Sequence, residues 1–325
     1  MSGLRVVVLR PAVFDPLNSW GNEECVGAVV DALTRSGVPA ECRTVEDLRE
    51  LDAHRGRPGL LAFPNARRLD GSESLIEALA RRRIPFVGSS GPGMAVEDKS
   101  YLKRRLAAAG IPTPHGTVFD GDRAVEASTD GLRFPLVVKP VRGAESVGVA
   151  KHEDVASLRT ALGRPGRFLI EEWHRHREFT VAVVGNGSAL VAAPAEIVLP
   201  AGKDILDSDT KAHRITSTLV RADSRSATGA AGVALRAFDV LGLRDWARID
   251  VVVDDDGTPY VIDVNTMPGL RREIGHPSYF PRCLAFSRGL DYDESVRALI
   301  AASALRHGLE VTPVLRAAHS KAMGR

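Results

Sequence analysis

Arg248, Asp250, Asp263 and Asn265 are the residues whose types and spacing ask most plainly for chemistry. They sit in two stretches, Arg248-Ile249-Asp250-Val251-Val252-Val253 and Thr258-Pro259-Tyr260-Val261-Ile262-Asp263-Val264-Asn265, separated by Asp254-Asp255-Asp256-Gly257. Asp-Gly is a strong hairpin signal, because a two-residue type I′ loop needs positive φ at both positions. With Asp256-Gly257 as that loop, Asp255 closes on Thr258, and counting outward sets Asp250 opposite Asp263 and Arg248 opposite Asn265. The two-residue period of a strand puts all four on one face. Carboxylates facing each other across a strand pair repel, so something must neutralise them. A hard divalent ion such as Mg2+ would do so, taking a few protein oxygens and completing its shell with water and phosphate. Arg248 would also do so, as a plain salt-bridge partner on a polar sheet face.

A second feature is the lysine that ends Val137-Val138-Lys139, with the loop behind it containing Gly143, Ser146 and Gly148. Backbone N–H groups of such a loop can cap phosphate oxygens, and a strand-end lysine adds a point charge. The pattern is neither the P-loop nor the dinucleotide fingerprint, and a hairpin or crossover with an exposed lysine has the same composition. Asp98-Lys99 opens a helix that carries Lys103 four residues on, which reads as a solvated face stabilised by charge pairing. His174 and His176 have no carboxylate or cysteine companion at zincin spacing and read as surface-loop histidines.

These residues must be positioned by an alternating chain. Residues 5–9 and 59–63 read as buried strands, 25–33 and 72–79 as helices, and 84–87 as a third short strand, which predicts parallel strands with crossover helices. Arg81-Arg82-Arg83 reads as a solvent-facing helix C-terminus. A second unit starts near Met94, with a helix over 97–109 and a strand over 134–139. A third starts near Phe168, with strands over 168–171 and 178–184, a helix over 230–241 and the hairpin over 247–265. The expected division is 1–93, 94–167 and 168–325. A length of 325 residues with 44% apolar and 26% charged residues suits several soluble compact units. The net charge of +2 comes from nearly balanced totals and predicts no global attraction to nucleic acid or membrane. Cys25, Cys42 and Cys283 are far apart and read as reduced cytoplasmic thiols. The start, Met1-Ser2-Gly3-Leu4-Arg5-Val6, lacks a basic region and a long apolar segment, so neither signal peptide nor anchor is expected.

Taken in order, several segments resemble the D-alanine–D-alanine ligase branch of the ATP-grasp superfamily, over about residues 71–307. They are Pro85-Phe86-Val87-Gly88-Ser89, Asp98-Lys99, Ala107-Ala108-Ala109-Gly110-Ile111-Pro112, Phe168-Leu169-Ile170-Glu171-Glu172-Trp173, Arg177-Glu178-Phe179-Thr180-Val181, Ala247-Arg248-Ile249-Asp250 and Asp263-Val264-Asn265-Thr266-Met267-Pro268-Gly269. The resemblance implies an α/β chain, α+β in the ATP-grasp part, with a parallel-sheet N-terminal domain and ATP between the central and C-terminal domains. It implies a homodimer. It also implies roles: Lys99 and Lys139 on the ATP phosphates with Ser146 and its loop closing over them, and Glu171 on the adenine amino group. The Trp173–His174 backbone would meet the ring edge, and Glu178 the ribose. Asp250, Asp263 and Asn265 would hold two Mg2+ ions, with Asp263 standing where the family usually has the longer Glu. Arg248 and the Gly269 N–H would stabilise an oxyanion, Lys211 would reach the γ-phosphate, and Ser278 would hold the acceptor's carboxylate.

The substrate side departs from the family. Phe63-Pro64-Asn65-Ala66-Arg67-Arg68-Leu69-Asp70-Gly71 replaces a His-Gly…Gly-Glu-Asp-Gly segment, Glu145 stands where the loop normally has serine, and Ala212 rather than tyrosine follows Lys211. Gly21-Asn22-Glu23-Glu24 matches only loosely the glutamate that grips the first amino acid, which makes Glu23 and Glu145 the substrate-side candidates beside Ser278. Changing a buried hydrogen-bonded set alters specificity more readily than phosphoryl transfer. The expectation is therefore a carboxylate–amine ligase that forms an amide from amino-acid-like substrates through an acyl phosphate, releasing ADP and phosphate, in specialised, antibiotic-type biosynthesis. The alternatives are an intramolecular cyclase closing an aminooxy amino acid to a D-cycloserine-type ring, an authentic D-Ala-D-Ala ligase, and an ATP-binding protein that no longer turns over.

Overall fold

Val6, Val7, Val8 and Leu9 are all buried, so β1 (Arg5–Pro11) takes the centre of a sheet covered on both faces. The computed structural model describes residues 3–15, 19–69, 74–121, 124–143, 146–206, 218–222, 225–272 and 278–325. After β1 come α1 (Glu23–Thr34), β2 (Ala40–Val45), β3 (Leu60–Pro64) and α2 (Leu75–Arg81), the strands pairing in parallel in the order β2-β1-β3. Asn22 starts α1 by accepting from Cys25 N at 3.0 Å, and Arg82 caps the other end of α2, as the arginine run predicts. β2 is an edge strand with exposed Cys42, Arg43 and Thr44 and has no apolar run to announce it. The strand expected over 84–87 is reduced to one parallel bridge, Ala62 to Phe86. Its outer side is satisfied by a helix: Phe86 N donates to His307 Nε2 at 3.1 Å, and Phe86 O accepts from Arg306 Nη2 at 2.7 Å.

The next stretch holds α3 (Pro92–Ala95), α4 (Lys99–Ala108), β4 (Gly116–Phe119), α5 (Val125–Ser128), β5 (Leu136–Pro140), β6 (Ala150–His152), α6 (Val155–Leu162) and β7 (Phe168–Glu172). Its four strands form an antiparallel sheet in the order β4-β7-β5-β6. The division placed between 167 and 168 thus falls inside this sheet, since β7 pairs with both β4 and β5. A run such as Phe168-Leu169-Ile170 marks a strand but says nothing of its partners.

A five-stranded antiparallel sheet follows, β10-β9-β8-β11-β12, built from β8 (His176–Asn186), β9 (Ala189–Val198), β10 (Thr218–Arg221), β11 (Asp245–Asp254) and β12 (Pro259–Asn265). Helix α7 (Arg225–Val240) covers one face, and α8 (Tyr279–Arg288), α9 (Tyr292–Arg306) and α10 (Pro313–Ala322) belong to the other. Within β8 the run from Val181 to Val184 is apolar because both faces are covered there: Phe179, Val181 and Val183 pack with α7, while Ala182 and Val184 join the core that also holds β1 and α9. Leu102 and Leu106 of α4 pack into the α7 core, so α4 straddles the two sheets.

β11 alternates in the same way and changes environment along its length. Ala247, Ile249, Val251 and Val253 face α7; on the opposite face Trp246 is in the core, whereas Asp250, Val252 and Asp254 open onto a cleft. The hairpin register at the polar end agrees with expectation, Arg248 opposite Asn265 and Asp250 opposite Asp263, but for a different reason. The loop has three residues, with Asp254 N donating to Thr258 O at 3.1 Å and Gly257 at φ 82°. The pairing then runs Val253 to Pro259, Val252 to Tyr260 and Val251 to Val261, and a bulge at Ile262 restores the count. The bulge matters physically, because Val261 and Val264 both join the α7 core while Asp263 faces the cleft. Strict alternation from Val261 would have buried Asp263.

Candidate active site

A cleft of about 1070 Å3, its open mouth included, lies between the four-stranded and five-stranded sheets. Lys139 reaches it from the end of β5, Glu171 from β7, Trp173 and His174 from the β7–β8 connection, Glu178 from β8, Asp250 from β11 and Asp263 from β12. Lys99, the first residue of α4, enters from the side, with Asp98 as the N-cap that accepts from Ser100 N and Tyr101 N. Lys99 Nζ lies 3.2 Å from Gly143 O and 3.5 Å from Asp263 Oδ1. Ser146, at φ 56°, and Val147 form the rim opposite. The apolar walls are Val137, Val149, Leu206, Val252, Tyr260 and Ile262.

Asp250 is gripped by its neighbour on the same strand face: Arg248 Nε and Nη2 donate to Oδ1 and Oδ2 at 3.0 Å each, and Thr180 Oγ1 donates to Oδ1 at 2.8 Å. Of the two answers to the opposed carboxylates the structure shows the arginine, Arg248 beside Asp250, and it adds Lys99 beside Asp263. Asn265 Oδ1 accepts from Met267 N at 3.0 Å and from Arg67 Nη2 at 3.2 Å. Two carboxylates and an amide oxygen on one ribbon face are hard donors of the kind that suit Mg2+. Among the described residues no three His, Cys, Asp or Glu side chains converge, so such an ion would need phosphate and water oxygens to complete its shell.

Glu171 is 2% exposed and sits between two ammonium groups, Lys139 at 2.6 Å and Lys103. Burial works to raise its pKa, but the lysines outweigh it and hold the carboxyl below the usual range. Burial likewise works against the Lys139 charge, and Glu171, Asp263 and Glu178 together hold its pKa up. For Lys103 burial wins, with the like charge of Lys139 adding to it, and its pKa is lowered despite Glu171. The face of α4 bearing Lys99 and Lys103 is thus not solvated, contrary to expectation. The signal was available: residues four apart share a helix face, so an inward Lys99 brings Lys103 with it. His174 and His176 also line the cleft, and burial pushes the His176 imidazole down, which keeps it neutral at neutral pH. Glu172, not singled out in the sequence, is 5% exposed and accepts from Arg133 N at 3.0 Å and Arg133 Nη2 at 3.2 Å.

The residues expected to hold substrate do not gather in the same way. Glu23 is on the outside of α1, its side chain 82% exposed and 3.2 Å from Arg10 Nη1, and it does not line the cleft. The reason is local, since Asn22 rather than Glu23 caps the helix and the first-turn carboxylates point to solvent. Ser278 Oγ accepts from Arg271 N at 2.8 Å, and a Cβ at Gly269 would come 2.7 Å from that oxygen, so the Gly269 backbone and the Ser278 side chain are in close approach. Glu145 and Lys211 lie outside the described residues. The departing segment after β3 has become structural: Asn65 Nδ2 donates to Gly21 O at 2.9 Å, and Arg67 bridges Glu97 and Asn265. Thr266 Oγ1 donates to the same Glu97 at 3.0 Å.

A family model described as the D-ala D-ala ligase C-terminus matches residues 106–301. A D-alanine–D-alanine ligase of Pseudomonas putida (strain GB-1) is 32% identical over 293 residues, 86% of this chain and 88% of that one. Among solved structures, the D-alanine–D-alanine ligase of Bacillus anthracis complexed with ATP superposes with a TM-score of 0.70 at 20% identity, covering 94% of this chain and 99% of that one. The VanG D-Ala:D-Ser ligase of Enterococcus faecalis gives 0.69 at 20% identity, covering 93% and 100%. With a family model over more than half its length and a relative of this identity over most of both chains, the protein belongs to the D-alanine–D-alanine ligase branch of the ATP-grasp superfamily, a branch of ADP-forming carbon–nitrogen ligases.

Proposed function

We propose that this chain uses ATP to join two small amino acids, D-alanine to D-alanine in the simplest case, through an acyl phosphate. The observation that carries the proposal is the convergence of Lys99, Lys139, Glu171, Glu178, Asp250 and Asp263 on one cleft in a chain of this family. Relatives spanning most of the chain are named D-alanine–D-alanine ligases. That favours two-substrate ligation over specialised synthesis or one-substrate ring closure.

In this reading a carboxylate oxygen of the first amino acid attacks the γ-phosphorus, ADP leaves, and the amine of the second attacks the acyl carbon and expels phosphate. Two anions must meet in the first step, and Lys99 and Lys139 offset their repulsion. Mg2+ held by Asp250, Asp263 and Asn265 would supply further charge neutralisation at the phosphates. Glu171, kept ionised by its lysines, accepts from the amino group of adenine, the Trp173–His174 backbone meets the ring edge, and Glu178 takes the ribose. Arg248 and the Gly269 N–H donate to the oxyanion that forms when the amine attacks. Ser278 Oγ already accepts a backbone N–H, which directs its own proton toward an acceptor carboxylate. Ser146 and its loop, Glu145 included, close over the phosphates, and Lys211 completes the γ-phosphate contacts. A cytoplasmic homodimer belongs to the same proposal; among the described residues no helix is long and apolar enough to cross a membrane. The test is ADP release screened over single amino acids and then pairs, with mass spectrometry of the product. Release with D-alanine alone or with pairs that include it, and a product containing two amino-acid residues, are expected; a product containing one residue only would overturn the two-substrate reading.

A further inference from the structure

We propose that Lys103 is a positioning residue for base selection: it fixes Glu171 and ties the base end of the cleft to the carboxylate ribbon at the other end. The inference rests on the ligase reading, in that Glu171 is taken as the residue that meets the base.

Lys99 and Lys103 leave the same face of α4 one turn apart, toward different targets. Lys99 goes to the cleft mouth, at Gly143 and Asp263. Lys103 goes behind the cleft floor, where it donates to Pro114 O at 2.9 Å, to Thr113 Oγ1 and to Glu171 Oε1. An ammonium has three donors, and here each has an acceptor. Thr113 Oγ1 donates onward to Val261 O at 2.9 Å, and Val261 N donates to Pro112 O at 2.9 Å. Val261 is the last residue of β12 before the bulge that turns Asp263 into the cleft. From the other side, Gly116 lies so close to β7 that a Cβ there would come 2.2 Å from Ile170 O, which presses the segment between α4 and β4 onto the strand of Glu171. One connected path therefore runs Val261, Thr113, Lys103, Glu171, Lys139.

The chemical consequence concerns the base. An ionised carboxylate only accepts hydrogen bonds. It pairs with the six-position amino group of adenine and repels the carbonyl oxygen that hypoxanthine carries there. Lys139 lines the cleft, where incoming phosphates compete for its ammonium; Lys103 lies behind Glu171 and stays with it. Losing Lys103 leaves the Glu171 oxygen to turn or take up a proton, and either change blurs the distinction between the two bases.

Binding of ATP and of ITP, measured by calorimetry on the full chain without amino acid, tests this. Lys103→Met should weaken ATP by about 10- to 100-fold, the cost of a hydrogen bond to a charged group, with a smaller change for ITP, so that the preference for ATP shrinks; Lys103→Arg should recover part of that preference. Should Lys103→Met fail to fold, Thr113→Val removes one acceptor of the Lys103 ammonium together with the link to β12, leaves Pro114 O and Glu171 in place, and should lower the ATP-to-ITP ratio by about 2- to 10-fold. Variants that keep wild-type affinity and preference overturn the proposal. Wild-type protein that binds neither nucleotide overturns instead the assignment of the cleft to ATP.

Discussion

β11 carries two aspartates clasped by an arginine, one at its start and one midway along it, and the two pairs do different things. At its start Asp245, at φ 65° and fully buried, accepts from Arg306 Nε and Nη2 at 2.7 Å each, from Gly88 N at 2.7 Å and from Asn186 Nδ2 at 2.9 Å. Those donors come from α9, from the chain just before α3 and from β8, so the carboxylate joins three segments of the core. Further along, Asp250 takes the same two-pronged arginine contact from Arg248, yet it borders an open cleft and has a second carboxylate, Asp263, across the ribbon. An arginine–aspartate pair is therefore no mark of a site by itself. The mark is a carboxylate that keeps access to a cleft and faces another of its kind.

That contrast can be broken in graded ways. Asp245→Ala should cost about 3–5 kcal/mol of stability, the usual result of leaving a buried charge unpaired; an unchanged denaturation midpoint would show that the clasp is ornamental. Arg248→Ala should lower kcat by about 10²–10³-fold, as removal of an oxyanion donor does, with a midpoint close to wild type; normal turnover would refute its assignment. Arg67→Ala removes the bridge between Glu97 and Asn265 and should cost about 1–3 kcal/mol, measured by urea unfolding. An equal loss in the Arg67→Ala, Glu97→Ala double variant would support the bridge, and strictly additive losses would argue against it. Glu23→Ala should change stability by less than about 1 kcal/mol, as exposed pairs do, and leave the KM for amino acid unchanged, because Glu23 faces solvent beside Arg10.

The cleft was more legible in the sequence than the substrate wall, for a physical reason. Arg248, Asp250, Asp263 and Asn265 owe their common face to strand period, a local property. Even there the agreement has two offsetting parts, a loop one residue longer than Asp-Gly suggests and a bulge at Ile262. The spacing of Val261 and Val264, both apolar and three apart, was the trace of that bulge. Lys103 was misread because charge pairing on a helix face looks the same whether water or Glu171 lies beyond it. Glu23 opens a helix and Asn65 and Arg67 lie in a loop, and their partners, Arg10, Gly21, Glu97 and Asn265, are distant in the chain, so no periodicity announces such contacts. The same limit hid the membership of β7 in the four-stranded sheet.

The central claim is that the opposed aspartates on the β11–β12 ribbon hold a divalent ion at the phosphates of a bound nucleotide. Crystals grown with Mn2+ and a non-hydrolysable ATP analogue, with anomalous data collected at the manganese edge, test it most directly. The account predicts manganese in contact with the carboxylates of Asp250 and Asp263 and with phosphate oxygens in the same cleft. Manganese bound elsewhere, or a nucleotide whose phosphates lie away from that ribbon, would contradict it.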